Sequence, residues 1–260
     1  MFSLRLFGDG DAAVPDDPSV PWLRGARRDF SEKLLGQDPP YPCHFGAQGQ
    51  QTRKNWYTAF DGEAQGVRAL PDLADTLREF RRRAWSGPKQ QSLIVFVGPP
   101  DEEPDLERDT ARFWDLLGRL TALDTELWPA ECPRDVTDPE WEWCFDGEPW
   151  FVFAGSPGYR NRRSRNLAPC LVVTFQVLRV FEGIGGSSPA GKSSRNRVRT
   201  LLADYDLAPL HPHLADPKIA KTFRWRQYVL PDDQRVLPEG GCPFTGRHPG
   251  GIPAAGPGSA

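Results

Sequence analysis

Trp141-Glu142-Trp143-Cys144-Phe145-Asp146-Gly147-Glu148-Pro149-Trp150-Phe151-Val152-Phe153-Ala154 is the stretch from which the fold is read. Two aromatic-rich runs, 141–145 and 150–154, suit strands, and the polar, turn-forming Asp146-Gly147-Glu148-Pro149 between them predicts a hairpin. Outward from it, 171–180 reads as a further apolar strand. Residues 92–97 read as another, stopped by Gly98-Pro99-Pro100. Helices are predicted over 70–85, where Leu73, Leu77 and Phe80 recur at helical spacing before the basic Arg81-Arg82-Arg83, and over 106–123, where Phe113, Leu116, Leu117 and Leu120 share a face. Pro129 and Pro133 force a loop after the second, and a last helix is predicted over 194–205. A hairpin and buried strands interleaved with helices indicate one mixed α/β or α+β domain with a central sheet flanked by helices.

The 260 residues suffice for one large core. Residues 1–25, rich in Asp, Pro and Gly, read as an irregular lead-in, 26–245 as the single catalytic domain, and 246–260 as a disordered tail. The 32 basic and 35 acidic side chains are interspersed, for a net charge of −3, which argues against nucleic acid or an anionic membrane as partner. No signal-peptide pattern and no apolar run of about 20 residues is present, so a cytoplasmic protein is expected. Five cysteines (Cys43, Cys132, Cys144, Cys170 and Cys242) without a Cys-x-x-Cys pair predict neither a disulfide framework nor a structural zinc site. The absence of G-x-G-x-x-G excludes the usual flavin or nicotinamide fingerprint.

Several blocks carry a resemblance. They are Tyr41-Pro42-Cys43-His44-Phe45-Gly46-Ala47, Phe113-Trp114-x-Leu116-Leu117, Leu123-Asp124-x-x-x-x-Trp128-Pro129, the hairpin stretch up to Phe151, Ser164-Arg165, Phe175-Gln176, Trp225-x-Gln227-Tyr228-x-Leu230 and Cys242-Pro243-Phe244. In this order, over about residues 40–245, the chain resembles the YqcI/YcgG family. The resemblance implies a haem-dependent monooxygenase of natural-product pathways that N-hydroxylates, or oxidises further, the side-chain nitrogen of an arginine-like or lysine-like amino acid. It implies haem b and O2; with no flavin or nicotinamide fingerprint in the chain, the electrons are expected from a separate reductase or small reductant. The oligomeric state is not readable.

A haem oxygenase needs an axial ligand, and a thiolate favours O–O cleavage. Cys43 is the first candidate for the iron, because it sits in a family block with Gly46 close behind. His44 beside it and Cys242 in the last block are the rivals, and an inert buried thiol is the plain alternative. Cys132, Cys144 and Cys170 read as core, and His211 and His213, two residues apart, as a surface loop rather than a chelate for one metal. In Arg160-Asn161-Arg162-Arg163-Ser164-Arg165, Arg165 and then Arg163 are the candidates to pair with haem propionates or a substrate carboxylate, against a merely solvated basic loop. Asp146 and Glu148, with Glu142 upstream, are candidates to meet a cationic substrate, though Asp146-Gly147 is also an ordinary turn. Trp143, with Trp141 and Trp150, is a candidate wall for the macrocycle or simply core.

A competing motif is Gly186-Ser187-Ser188-Pro189-Ala190-Gly191-Lys192-Ser193, which satisfies the phosphate-loop pattern G-x-x-x-x-G-K-[ST] between a strand and a helix. The spacer after the strand is long and no later strand ends in a suitable Asp, so a nucleotide-binding protein stands as an alternative. A non-catalytic haem carrier or sensor is another.

Overall fold

A computed structural model describes residues 6–8, 17–89, 91–100, 102–178, 188–214 and 223–246. The elements in chain order are β1 (Phe7–Gly8), α1 (Leu23–Leu35), α2 (His44–Gln51), β2 (Trp56–Phe60), α3 (Ala69–Ser86), β3 (Leu93–Val97), α4 (Leu106–Ala122), β4 (Trp143–Phe145), β5 (Glu148–Gly155), β6 (Leu171–Val177) and α5 (Pro189–Tyr205). The six strands form one sheet in the order β1-β2-β3-β6-β5-β4. Among the described strands only β2 and β3 pair in parallel, and α3 supplies the crossover that a parallel pair requires. The other four pairings are antiparallel.

The period-two alternation of the strands divides the interior into two cores. Leu93, Val95, Val97, Val173, Phe175, Trp150 and Val152 pack on one face with Leu77 and Phe80 of α3 and with Phe113 and Leu117 of α4. Ile94, Phe96, Val172 and Phe153 pack on the other with Phe30 and Leu34 of α1 and with Tyr57. Covering on both faces explains why β3 reads as the unbroken apolar run LIVFV.

Caps fix the helix starts. Asp105 accepts N–H bonds from Glu107 (2.8 Å) and Arg108 (3.3 Å) at the head of α4. At α5 the hydroxyl of Ser188 accepts from Gly191 N (3.0 Å), with Pro189 in the first turn. That helix therefore begins five residues before the predicted start at 194. The hairpin turn is shorter than predicted: Asp146 (φ 55°) and Gly147 (φ 70°) alone make it, a left-handed pair that matches strand twist, so Glu148 and Pro149 belong to β5.

Two elements begin within the segment 1–25 read as irregular. β1 pairs with β2, and α1 starts at Leu23, burying Leu23, Ala26, Phe30 and Leu34 at helical spacing beneath a charged outer face. Of the predicted strand 171–180, residues 179 and 180 lie outside the described residues, as do 247–260 of the predicted tail.

Candidate functional site

A cavity of about 560 Å3 opens between α4, the loop after β5 and the 225–243 segment. That volume lies within the usual range for small-ligand sites. Trp114 and Trp225 form aromatic walls, packed edge to face with centroids 6.4 Å apart, and Tyr228 stacks behind Trp114 at 5.9 Å. Glu107, Asp232, Asp233 and Arg235 supply its charge. The loop after β5 closes tightly on the head of α4: a Cβ on Gly158 would stand 2.4 Å from Leu106 N, so only glycine fits without displacing the helix. Ser156 holds this junction, donating its hydroxyl to the buried carboxylate of Asp109 and accepting from Gly158 N (2.9 Å).

The opposite wall is locked by two charged groups. Asp232 accepts the backbone N–H groups of Arg160 (3.1 Å), Asn161 (3.0 Å) and Arg162 (2.9 Å), together with the side-chain amide of Asn161. Arg162 is 1% exposed, and its guanidinium donates to the carbonyls of Pro231 (2.7 Å), Asp233 (2.7 Å) and Pro209 (3.2 Å). This buried fork draws two chain segments, at Pro209 and at 231–233, onto the arginine loop.

The expectation that His211 and His213 lie on a surface loop is corrected: they are 0% and 2% exposed. His213 Nε2 accepts from Leu237 N (3.1 Å), next to the cavity wall, and His211 Nδ1 accepts from His213 N (3.1 Å). Burial, with His213 and Arg162 nearby, lowers His211 to about 4; burial, with Arg226 nearby, does the same to His213. Both are therefore neutral at pH 7. Their acceptor nitrogens are already used, which removes the pair as a ready chelate.

The structure brings the Cys43 block and the arginine loop together. Tyr41, buried, donates its hydroxyl to the carbonyl of Ser164 (3.0 Å), and Tyr205 meets it edge to face at 5.8 Å. Burial, the first cause, pushes the Tyr41 hydroxyl well above its ordinary range. Cys43 is half-buried at the N-cap of α2, where its sulfur accepts from Gly46 N (3.4 Å). His44 opens the same helix, but its side chain lies outside the described residues. Arg163 is exposed, stacks over Tyr205 at 5.6 Å and donates to the Tyr205 carbonyl. Arg165 stacks over Phe153 at 4.9 Å and donates to the carbonyls of Ala154 (3.3 Å) and Gln227 (3.1 Å). Asn161, in the cavity wall, and Ser164, under Tyr41, are three residues apart, a span of at most about 10 Å.

Asp146, Glu148 and Trp143 stand elsewhere. The Asp146 carboxylate receives Arg81 and lies 3.9 Å from Arg78 Nε, and Glu148 is 3.6 Å from Arg81 Nη1. Asp146 N also donates to Asp124 (2.9 Å). Burial raises Glu148, with Arg81 working against it. These carboxylates tie the hairpin turn to α3, and neither lines the cavity. Glu142, buried, pairs with Arg224 at 2.8 Å. Trp143 is 0% exposed, stacks on Phe145 at 5.6 Å and donates to Thr121 (2.9 Å), in the core across the sheet from the cluster that Cys43 packs against. Cys242 packs against that same first core, and burial pushes its thiol up to about 12.

The phosphate-loop reading gains nothing from the geometry. β6, the strand before the motif, is antiparallel to both neighbours, whereas a mononucleotide fold needs parallel βαβ units. Gly191, Lys192 and Ser193 are already helical, within the first five residues of α5, and Gly186 and Ser187 lie outside the described residues.

The sequence pattern of the YqcI/YcgG family matches residues 30–245. The chain belongs to the YqcI/YcgG family. It is similar to "Uncharacterized protein YcgG" of Bacillus subtilis (strain 168), 34% identical over 86% of this chain and 88% of that protein. It is also similar to "Uncharacterized protein YqcI" of the same organism, 31% identical over 92% and 94%. A third relative, "Putative N(omega)-hydroxy-L-arginine synthase DcsA" of Streptomyces lavendulae, is 28% identical over 87% and 85%. No solved structure gives a significant match.

Sequence reasoning missed the cavity, because three segments far apart in the chain build it. It also passed over Arg162, the most buried side chain of the arginine run; Trp114 and Trp225 stood in family blocks without being nominated. Among the described residues no group of three or more His, Cys, Asp or Glu could hold a metal ion, and no described helix is long and apolar enough to cross a membrane. The cavity does not suit an iron porphyrin: among the described residues no Cys, His, Met or Tyr side chain lines it, and its carboxylates would repel propionates. Cys43 offers a half-buried sulfur of the kind an iron accepts, and the exposed Arg163 stands on the adjoining loop.

Proposed function

We propose that this YqcI/YcgG protein is a haem-dependent oxygenase that hydroxylates, or oxidises further, a side-chain nitrogen of a basic amino acid such as arginine or lysine in natural-product biosynthesis. The observation that carries the reading is the similarity, over 87% of this chain, to the Streptomyces lavendulae protein named "Putative N(omega)-hydroxy-L-arginine synthase DcsA". In the balanced reaction one oxygen atom of O2 enters an N–H bond and the other leaves as water. Two electrons and two protons come from a separate reductase or a small reductant.

Cys43 would hold haem b through its sulfur, and Arg163 and Arg165 would face its carboxylates. Bound there, the group would supply oxygen activation, which a thiolate ligand favours. The chain's own contribution is positional. Tyr41, fixed on the Ser164 carbonyl, keeps the Cys43 block against the arginine loop, and Asp232 holds that loop's backbone at the cavity wall.

The test is the absorption spectrum of haem-reconstituted protein in the ferric, ferrous and carbonyl-bound states. A strongly red-shifted ferrous carbonyl band, lost in Cys43→Ser and kept in Cys242→Ser, is the expected result. Absence of a Soret band after reconstitution would refute haem dependence, and an unchanged spectrum in Cys43→Ser would move the ligand to His44 or Cys242.

A further inference from the structure

We propose that Cys132 and Cys144 are a redox pair that hydrogen peroxide converts into a reversible disulfide, tying the loop after α4 to the edge strand β4. The inference stands apart from the oxygenase reading.

The fold brings the two thiols together from a strand and a loop. Cys144 is 1% exposed in β4, at one end of the sheet, where pairing with Pro149 of β5 fixes its backbone. Cys132 stands in the loop between α4 and β4, half-buried against the same core, with the exposed Glu131 beside it. A turn to the Pro129 carbonyl (3.1 Å) and the indole N–H of Trp128, which donates to the Cys132 carbonyl (3.0 Å), hold it there. Both cysteines are free thiols, and their side chains are in hydrogen-bonding contact: Cys144 donates to the Cys132 sulfur and to the Glu142 carbonyl (3.5 Å). Two sulfurs in contact are the starting geometry of a disulfide, and a loop yields more readily than a paired strand, so the closing movement falls to Cys132.

The asymmetry of the pair sets the order of events. Burial raises both thiols, Cys144 the further of the two; at Cys132 the hydrogen bond from Cys144 opposes burial, Glu131 and Glu142 add to it, and Arg224 opposes it. The thiolate therefore forms first at Cys132, which is also the sulfur that peroxide reaches. That sulfur attacks one peroxide oxygen: an S–O bond forms, the O–O bond breaks, and the departing hydroxide takes the thiol proton and leaves as water. The Cys144 sulfur then attacks the sulfenic acid: the S–S bond forms, the S–O bond breaks, and the Cys144 proton leaves with the hydroxide as a second water. The two thiols lose two electrons and the peroxide gains them. The small thiolate fraction makes the first step slow at neutral pH and faster as pH rises.

The experiment is peptide mapping of the full chain by mass spectrometry, after the reduced protein is treated with hydrogen peroxide and its remaining thiols are alkylated. Trypsin cuts after Arg134, which leaves Cys132 in fragment 120–134 and Cys144 in fragment 135–160, one cysteine in each. The expected result is these two fragments joined, lighter than their sum by two hydrogens, in protein that migrates as a single chain without reductant, and separated again by dithiothreitol. Because the bridge closes a short loop and restrains the unfolded chain, the oxidised protein should melt several degrees higher than the reduced one. In Cys144→Ala the Cys132 sulfenic acid persists and is captured by dimedone, and in Cys132→Ser the Cys144 thiol stays unoxidised. The proposal is overturned if both thiols survive the peroxide, if Cys132 reaches the sulfinic acid without joining Cys144, or if either sulfur joins another cysteine or a second chain instead. The wild-type map decides between these outcomes even where a variant fails to fold.

Discussion

Replacing Arg162 by Met removes a buried guanidinium and keeps most of the aliphatic volume. The side chain makes three hydrogen bonds to the carbonyls of Pro231, Asp233 and Pro209, two of them at 2.7 Å. A charged hydrogen bond contributes roughly 1.5–3 kcal/mol, but the guanidinium's own burial cost is relieved when it goes. The net loss is therefore about 3–5 kcal/mol, a large part of the roughly 5–15 kcal/mol that holds a domain together. Urea unfolding of Arg162→Met should give a lower midpoint at unchanged slope, and Arg160→Ala, on the exposed side of the same loop, should stay within about 0.5 kcal/mol of wild type. A loss below about 1 kcal/mol in Arg162→Met would refute the view that this side chain pins the cavity wall.

Three further outcomes are expected. His211 and His213, each lowered to about 4, bind fewer protons folded than unfolded, so their contribution is complete above the ordinary value of 6.5 and is lost as pH falls from 6.5 toward 4. The slope is up to about 1.4 kcal/mol per pH unit for each group; a His211→Gln, His213→Gln double variant whose stability falls between pH 7 and pH 5 as steeply as wild type would contradict it. Asp146→Asn keeps the turn but discharges the partner of Arg81, so thermal stability should drop by about 1–2 kcal/mol while arginine binding measured by calorimetry stays unchanged; weakened binding would return Asp146 to the site. Lys192→Ala, an exposed change in α5, should alter neither stability nor oxidation, and loss of activity in a turnover assay would revive the phosphate-loop reading.

What the sequence made legible followed periodicity and punctuation. α3, α4 and β3 announced themselves through Leu73, Leu77 and Phe80, through Phe113, Leu116 and Leu117, and through the stop at Gly98-Pro99. α1 was hidden because Arg24, Arg27, Arg28, Asp29, Glu32 and Lys33 dilute its apolar stripe and no side chain caps its start. β1, at two residues, is too short to carry a period. Asp146-Gly147 gave away the hairpin, but reading the turn as four residues hid the fact that Glu148 is a strand residue paired with Arg81.

The candidate site was legible only in part. The Cys43 block and Ser164-Arg165 are neighbours, as a shared site would require, while Trp143 stands across the sheet and Asp146 and Glu148 serve α3. The cavity escaped because its chemistry depends on which carboxylates are spent. Asp232 and Asp233 are adjacent and identical in sequence, yet one is saturated by backbone N–H groups and the other keeps an oxygen available.

The central claim is oxidation at nitrogen, and the most direct measurement supplies haem-reconstituted protein with L-arginine or L-lysine, a reductant and isotope-labelled dioxygen, followed by mass spectrometry of the product. The account predicts an N-hydroxylated amino acid carrying one labelled oxygen per oxidation, formed only when haem, reductant and dioxygen are all present. Unchanged amino acid in haem-loaded protein, or a product whose added oxygen comes from water, would contradict it.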